Sequence, residues 1–222
     1  MTLRLNLSTG SAAASPSGAF ERPYFDELVY TVFQAPRDPA LGGVVVAISS
    51  CDQGEGGTFV ARSLLRELGR CDQNSVAGLN VGFLRKLHEP TLEAIRSSLR
   101  ASEQDPNVDS KAIAPRRRNA LMADSVQGPW EGSWQYRRDC IDLLRSEFDY
   151  SIIDCPAMNT SGDLLSIARF VDGVLLVIEA NRTRRETPRQ AEQRIAAAGG
   201  KVLGIILNRY RCEVPAWIDR ML

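Results

Sequence analysis

The sequence predicts an α/β fold: a doubly wound, mainly parallel sheet with helices on both faces. Three observations carry this. The segments 43–50 (GVVVAISS), 149–154 (DYSIID), 173–180 (GVLLVIEA) and 201–208 (KVLGIILN) are short apolar runs, the pattern of strands buried on both faces. Helical stretches alternate with them, which calls for crossover connections and a parallel sheet. A glycine-rich turn, GEGG at 54–57, joins the first of these strands to a helix.

Taken in order, residues 1–22 are rich in Ser, Ala and Gly and are expected to be a flexible tail, because they can bury little surface. Residues 23–222 are expected to form a single domain. Phe25, Leu28, Val32 and Phe33 recur at helical spacing, and Pro36 and Pro39 end that element. The strand at 43–50, the loop and a helix at 58–69 follow. Residues 76–84 (VAGLNVGFL) read as a second strand, with a helix at 90–101 after it. Residues 102–133 are polar and broken by Pro106, Pro115, Gly128 and Pro129, the composition of a long surface loop. Helices at 135–147, 162–170 and 184–198 alternate with the last three strands.

Composition excludes several function classes. Lys+Arg and Asp+Glu are each 27, so the formal net charge is zero, and nothing global attracts nucleic acid or a membrane surface. The basic clusters at Arg116–Arg118 and 182–185 read as local solvated faces. One histidine, His88, leaves no basis for a histidine metal site or triad. Five cysteines without CxxC spacing fit reduced thiols in a cytoplasmic protein. No apolar run reaches the length of a membrane span, and the N-terminus has no apolar core of a signal peptide.

The chemistry concentrates at 49–59, SSCDQGEGGTF. A strand, a glycine-rich turn and a helix N-terminus form a cradle for a nucleotide's phosphates. The pattern GxxxxGKS/T places a lysine at 57 and a glycine at 51; this chain has Gly57 and Cys51. Backbone N–H groups at Gly54, Gly56, Gly57 and Thr58 remain able to face an anion. The Thr58 hydroxyl and the Asp154 carboxylate are candidate Mg²⁺ partners. The alternative is that these residues persist as fixtures of the fold: glycines for the turn, Asp154 as an acceptor, Asn208 as a strand end. Cys51 reads as a small buried filler rather than a reactive thiol.

Residues 27–222 resemble the cytoplasmic domain of bacterial tyrosine kinases (BY-kinases) of capsule and exopolysaccharide synthesis, members of the deviant-Walker P-loop ATPases. The segment 148–157, FDYSIIDCPA, resembles their Walker B segment. Residues 171–186 resemble the unit that follows it, and 203–222, LGIILNRYRCEVPAWIDRML, resembles their last strand and C-terminal segment. The resemblance implies a P-loop fold, Asp154 as the Walker B carboxylate, and Asn208 on the adenine side of a nucleotide site. It implies as partner a membrane polysaccharide co-polymerase or an active kinase paralogue. Recruitment to the inner face of the cytoplasmic membrane would come through that partner.

The departures from the family pattern are as informative. GEGGT stands at 54–58 where the family has GEGKS or GEGKT. The family's second motif, Walker A prime, supplies an aspartate after a strand; here Asn80 and Gly82 stand near that place. The ring-forming ExxRxxR motif becomes Glu27-x-x-Tyr30-x-x-Phe33, and the C-terminal tyrosine cluster is reduced to Tyr210. The expectation is a pseudokinase with no resident cofactor and at most weak binding of ATP or ADP with Mg²⁺. Such a chain would serve as a regulatory or binding subunit. A ring is not expected; a homodimer stays open. An active ATPase or tyrosine kinase with a substitute cation, Arg85 or Lys86, is the alternative. A Min- or Par-type positioning ATPase is a weaker third, since Ser-Cys-Asp replaces that group's signature lysine. Trp130, Trp134, Val214, Pro215 and Trp217 are candidates for core cover or for partner docking.

Overall fold

The computed structural model describes residues 3–8, 29, 32–33, 42–70, 74–86 and 134–210. Six parallel strands form one sheet: β1 (Leu3–Ser8), β2 (Val44–Ser50), β3 (Val76–Asn80), β4 (Tyr150–Asp154), β5 (Gly173–Glu179) and β6 (Val202–Tyr210), in the order β1-β6-β5-β2-β4-β3. The helices are α1 (Gly57–Leu68), α2 (Val81–Lys86), α3 (Trp134–Glu147), α4 (Asp163–Ile167) and α5 (Glu186–Ala197). The predicted α/β, doubly wound, parallel architecture is therefore observed.

Alternation along the strands decides which face each helix covers. Val44, Val46 and Ile48 of β2, with Leu175 and Val177 of β5, point to one side. There they meet Val60, Ala61, Leu64, Leu65 and Leu68, the apolar stripe of α1. Val45, Ala47, Val174 and Leu176 point to the other side, against Cys140, Ile141 and Leu144 of α3, Leu164 and Ile167 of α4, and Ile195 of α5. Val44–Ile48 of β2 and Val174–Ile178 of β5 are unbroken apolar runs because both faces of these central strands are covered.

Two expectations change. Residues 76–84 do not form one strand: β3 stops at Asn80 and α2 begins at once. A continuous apolar run fits a strand or a buried helix equally. Asn80 decides between them, since its Oδ1 accepts a hydrogen bond from Gly82 N at 2.7 Å, an Asx-type turn that redirects the chain. Within the segment expected to be a tail, Leu3–Ser8 pairs with β6 as an edge strand, Leu3 opposite Gly204. Of the N-terminal helical segment, Val29, Val32 and Phe33 are helical and pack on the α1 face of the sheet. The helix read at 90–101 and the loop at 102–133 lie outside the described residues.

Candidate functional site: a phosphate-loop cleft

Sheet order places the site. The chain runs from β2 outward to β3, then returns through β4 to β5 on the other side of β2. Parallel sheets open a crevice at the carboxyl ends of their strands where the winding direction switches. At that edge, register sets Asp154 beside both Ile48 and Asn80. A cleft of about 660 Å³ opens there, lined among others by Gly54, Gly56, Gly57, Thr58, Arg62, Asn80 and Asp154.

The loop between β2 and α1 is held by its own protein contacts. Glu55 is only 1% exposed. Its Oε2 accepts from Asp52 N at 2.7 Å, and its other oxygen accepts from the Thr183 hydroxyl. Asn208 Nδ2 donates to Glu55 O at 2.7 Å, and Asn159 Nδ2 donates to Asp52 Oδ1 at 2.7 Å. Two glycines make the turn: Gly54 and Gly56 have φ of +88° and +95°, values that a side chain disfavours. A Cβ at Gly56 would also lie 2.2 Å from Asn208 Nδ2.

At α1, Gly56 is the N-cap, and no side chain caps the helix. The first N–H groups of a helix have no partner within it, and here Gly56 and Gly57, at the start of α1, line the cleft. Gly57 is not crowded: a Cβ there would come no closer than 3.4 Å to its nearest neighbour, Ser50 N. A lysine at this position would fit the backbone.

The Thr58 hydroxyl donates to Asp154 Oδ2 at 2.8 Å. Asp154 is 2% exposed, and its Oδ1 is buried with no hydrogen-bond partner among the described residues. Burial pushes the Asp154 carboxyl up to about 6; the Thr58 hydroxyl, the Arg62 guanidinium and the Asn80 amide oppose that shift. An orphaned buried oxygen beside a hydroxyl and an uncapped helix start suits a hydrated Mg²⁺ with a polyphosphate. Asn80, an amide, has no basicity with which to take a proton. Among the described residues, no cluster of three or more His, Cys, Asp or Glu side chains is arranged to hold a metal ion.

Gly54, Gly56, Gly57, Thr58 and Asp154 thus converge on one cleft. Asn208 is not part of its lining; it lies behind the loop as a brace. Cys51 is 3% exposed, and burial, with the Glu55 and Asp52 carboxylates adding, pushes its thiol up to about 12, so it stays protonated at neutral pH. Arg85 and Lys86 end α2, and their side chains lie outside the described ones. Trp134 is 58% exposed at the start of α3; Trp130, Val214, Pro215 and Trp217 lie outside the described residues. Sequence reading missed Arg62, although it stands one helical turn after Thr58. It also missed the Glu55–Thr183 contact, which no local pattern signals.

No family model matches the chain. Over 84 residues the chain is 36% identical to tyrosine-protein kinase CpsD of Streptococcus agalactiae, a match covering 38% of this chain and 36% of that protein. It is 35% identical over 69 residues to the succinoglycan biosynthesis transport protein ExoP of Rhizobium meliloti, covering 31% of this chain and 9% of that protein. The chain thus spans about a third or less of the length of these relatives. The kinase domain of the Escherichia coli tyrosine kinase ETK superposes with a TM-score of 0.63 at 17% identity, covering 87% of this chain and 77% of that structure. At that identity the likeness establishes the fold, a P-loop α/β fold. Among the described residues no helix is long and apolar enough to cross a membrane.

Proposed function

We propose that this chain is a cytoplasmic, BY-kinase-like pseudokinase that acts as a regulatory or binding subunit in bacterial exopolysaccharide or capsule biosynthesis and export. One observation carries the reading. The cleft keeps the Thr58–Asp154 pair but presents Gly57 and Asn80 where the resemblance calls for a lysine and an aspartate. Phosphoryl transfer depends almost wholly on positioning and charge neutralisation. Without the lysine the transferred group loses its fixed cation, and without the aspartate an attacking hydroxyl loses its base. The relatives named for tyrosine kinase activity and for succinoglycan biosynthesis support the polysaccharide setting. The partner is a membrane polysaccharide co-polymerase or an active kinase paralogue, which brings the chain to the inner face of the cytoplasmic membrane.

The second reading is a divergent ATPase or tyrosine kinase that uses a substitute cation, and Arg62 in the cleft favours it. The deciding experiment incubates purified chain with Mg²⁺-ATP and follows phosphotyrosine and phosphate release. The expected result is neither, with Asp154→Ala indistinguishable from the parent. ATP-dependent tyrosine phosphorylation that disappears in Asp154→Ala would overturn the pseudokinase reading.

A further inference from the structure

We propose that Arg62 is the cation of this cleft, taking over from the absent lysine at 57, so that the site holds the polyphosphate of a nucleoside di- or triphosphate. The inference rests on reading the site as a phosphate cradle that has lost turnover, and it assigns the group that keeps binding possible.

Helix geometry puts Arg62 in reach. It follows Thr58 by four residues, so the two share one face of α1, separated by about 6 Å of rise. Side chains on a helix lean toward its N-terminus. A long arginine stem at this position is able to reach back over the turn that begins at Gly57, and Arg62 lies close enough to Asp154 to act on its carboxylate. Arg62 is exposed, lines the cleft, and enters no ion pair among the described residues. By contrast, Arg70 further along is already paired with Glu67 at 2.6 Å. A guanidinium can also grip a phosphate through two parallel hydrogen bonds, which an ammonium cannot.

Two independent features point to a ligand between Arg62 and the loop. The first is Asp154 Oδ1, buried in the cleft wall with no well-formed hydrogen bond among the described residues, although the Asn80 amide and Arg62 guanidinium act on the carboxylate; a buried carboxylate oxygen so poorly met is costly, and a hydrated divalent cation on a polyphosphate would meet it. The second is charge balance. A lysine at 57 and an aspartate at 80 would bring opposite charges, and this chain lacks both. Asp154 is then the one carboxylate lining the cleft among the described residues, and Arg62 the one cation. The altered site keeps a net charge that tolerates Mg²⁺-nucleotide while losing the group that would accept a proton.

The test is calorimetric titration of the purified chain with Mg²⁺-ADP, Mg²⁺-ATP and AMP to millimolar concentration. It is run on the parent, Arg62→Gln, Arg62→Lys, and the double variant Gly57→Lys/Arg62→Gln, each first checked by thermal unfolding without ligand. The parent is expected to bind ADP and ATP saturably and AMP far more weakly. Arg62→Gln should lose about 10- to 100-fold in ADP affinity, the worth of a charge-assisted hydrogen bond, while still unfolding in one cooperative transition. Arg62→Lys should fall between, and lysine at 57 in the double variant should recover most of the loss. Absence of binding by the parent, or ADP affinity unchanged in Arg62→Gln, would overturn the proposal while leaving the pseudokinase reading intact. Tyrosine phosphorylation by the parent would overturn that reading and leave the assignment of Arg62 standing.

Discussion

Asp154 carries a conflict between stability and binding. Its folded-state carboxyl is pushed up to about 6 by burial, from an ordinary value of 3.8. The folded protein therefore holds the proton more tightly than the unfolded chain does. The sign follows: between about pH 4 and 6 stability falls as pH rises, and above 6 the full cost of an ionised buried carboxylate is present. Two pH units correspond to roughly 3 kcal/mol. Asp154→Asn keeps an acceptor for the Thr58 hydroxyl and removes the ionisable group. Its melting temperature should exceed the parent's at pH 8, with the gap closing toward pH 4; a lower value at pH 8 would contradict this. Gly56 is the other sensitive residue. Gly56→Val places a side chain at positive φ, costing about 1–2 kcal/mol, and displaces the Asn208–Glu55 hydrogen bond, worth about 1 kcal/mol more. Urea unfolding should show a loss of about 2–3 kcal/mol; unchanged stability would mean the turn adopts another shape. The glycines, Thr58 and Asp154 were legible in sequence because each sits in a contiguous motif. Arg62 was hidden because nothing marks which exposed arginine of an amphipathic helix faces a cleft. Glu55 was hidden because its partners, Thr183 and Asn208, lie more than a hundred residues away.

Strands β2, β4, β5 and β6 were legible because short, β-branched apolar runs alternate with helical stretches, and that alternation decides for strands. The end of β3 was not, since Val81 and Leu84 are as buried in α2 as they would be in a strand. The N-terminal helical segment bears on one difference from the pattern that the resemblance implies. Phe33 stands where the ring motif has its last arginine. It is 3% exposed, and its ring meets Tyr150 edge-on at a centroid distance of 5.6 Å. Restoring the motif by Phe33→Arg would bury an unpaired charge and leave Tyr150 without its neighbour. A loss of about 3–5 kcal/mol is expected, read by chemical unfolding. A stable variant that assembles into larger rings would refute this.

For the whole molecule, the same substitution pattern bears on assembly. With Tyr30 and Phe33 in place of arginines, the purified chain is expected to sediment as nothing larger than a dimer at micromolar concentration. A ring-sized species in analytical ultracentrifugation would contradict that. The fold class could be read from alternation of runs and helices, yet the sheet's full width could not. Strand β1 pairs through its backbone with β6, and its short apolar alternation (Leu3, Leu5, Leu7) resembles any tail segment until a partner edge exists. That partner is made about 200 residues later in the chain, Leu3 lying opposite Gly204. Contacts of such sequence separation form slowly and late. While the chain emerges from the ribosome, β1 has no edge to join, and until β1 docks, the backbone groups of β6 on that side stay open as a template for any other extended strand. An open β6 edge invites strand pairing between copies, so the yield in cells should depend on how quickly the β1–β6 seam closes.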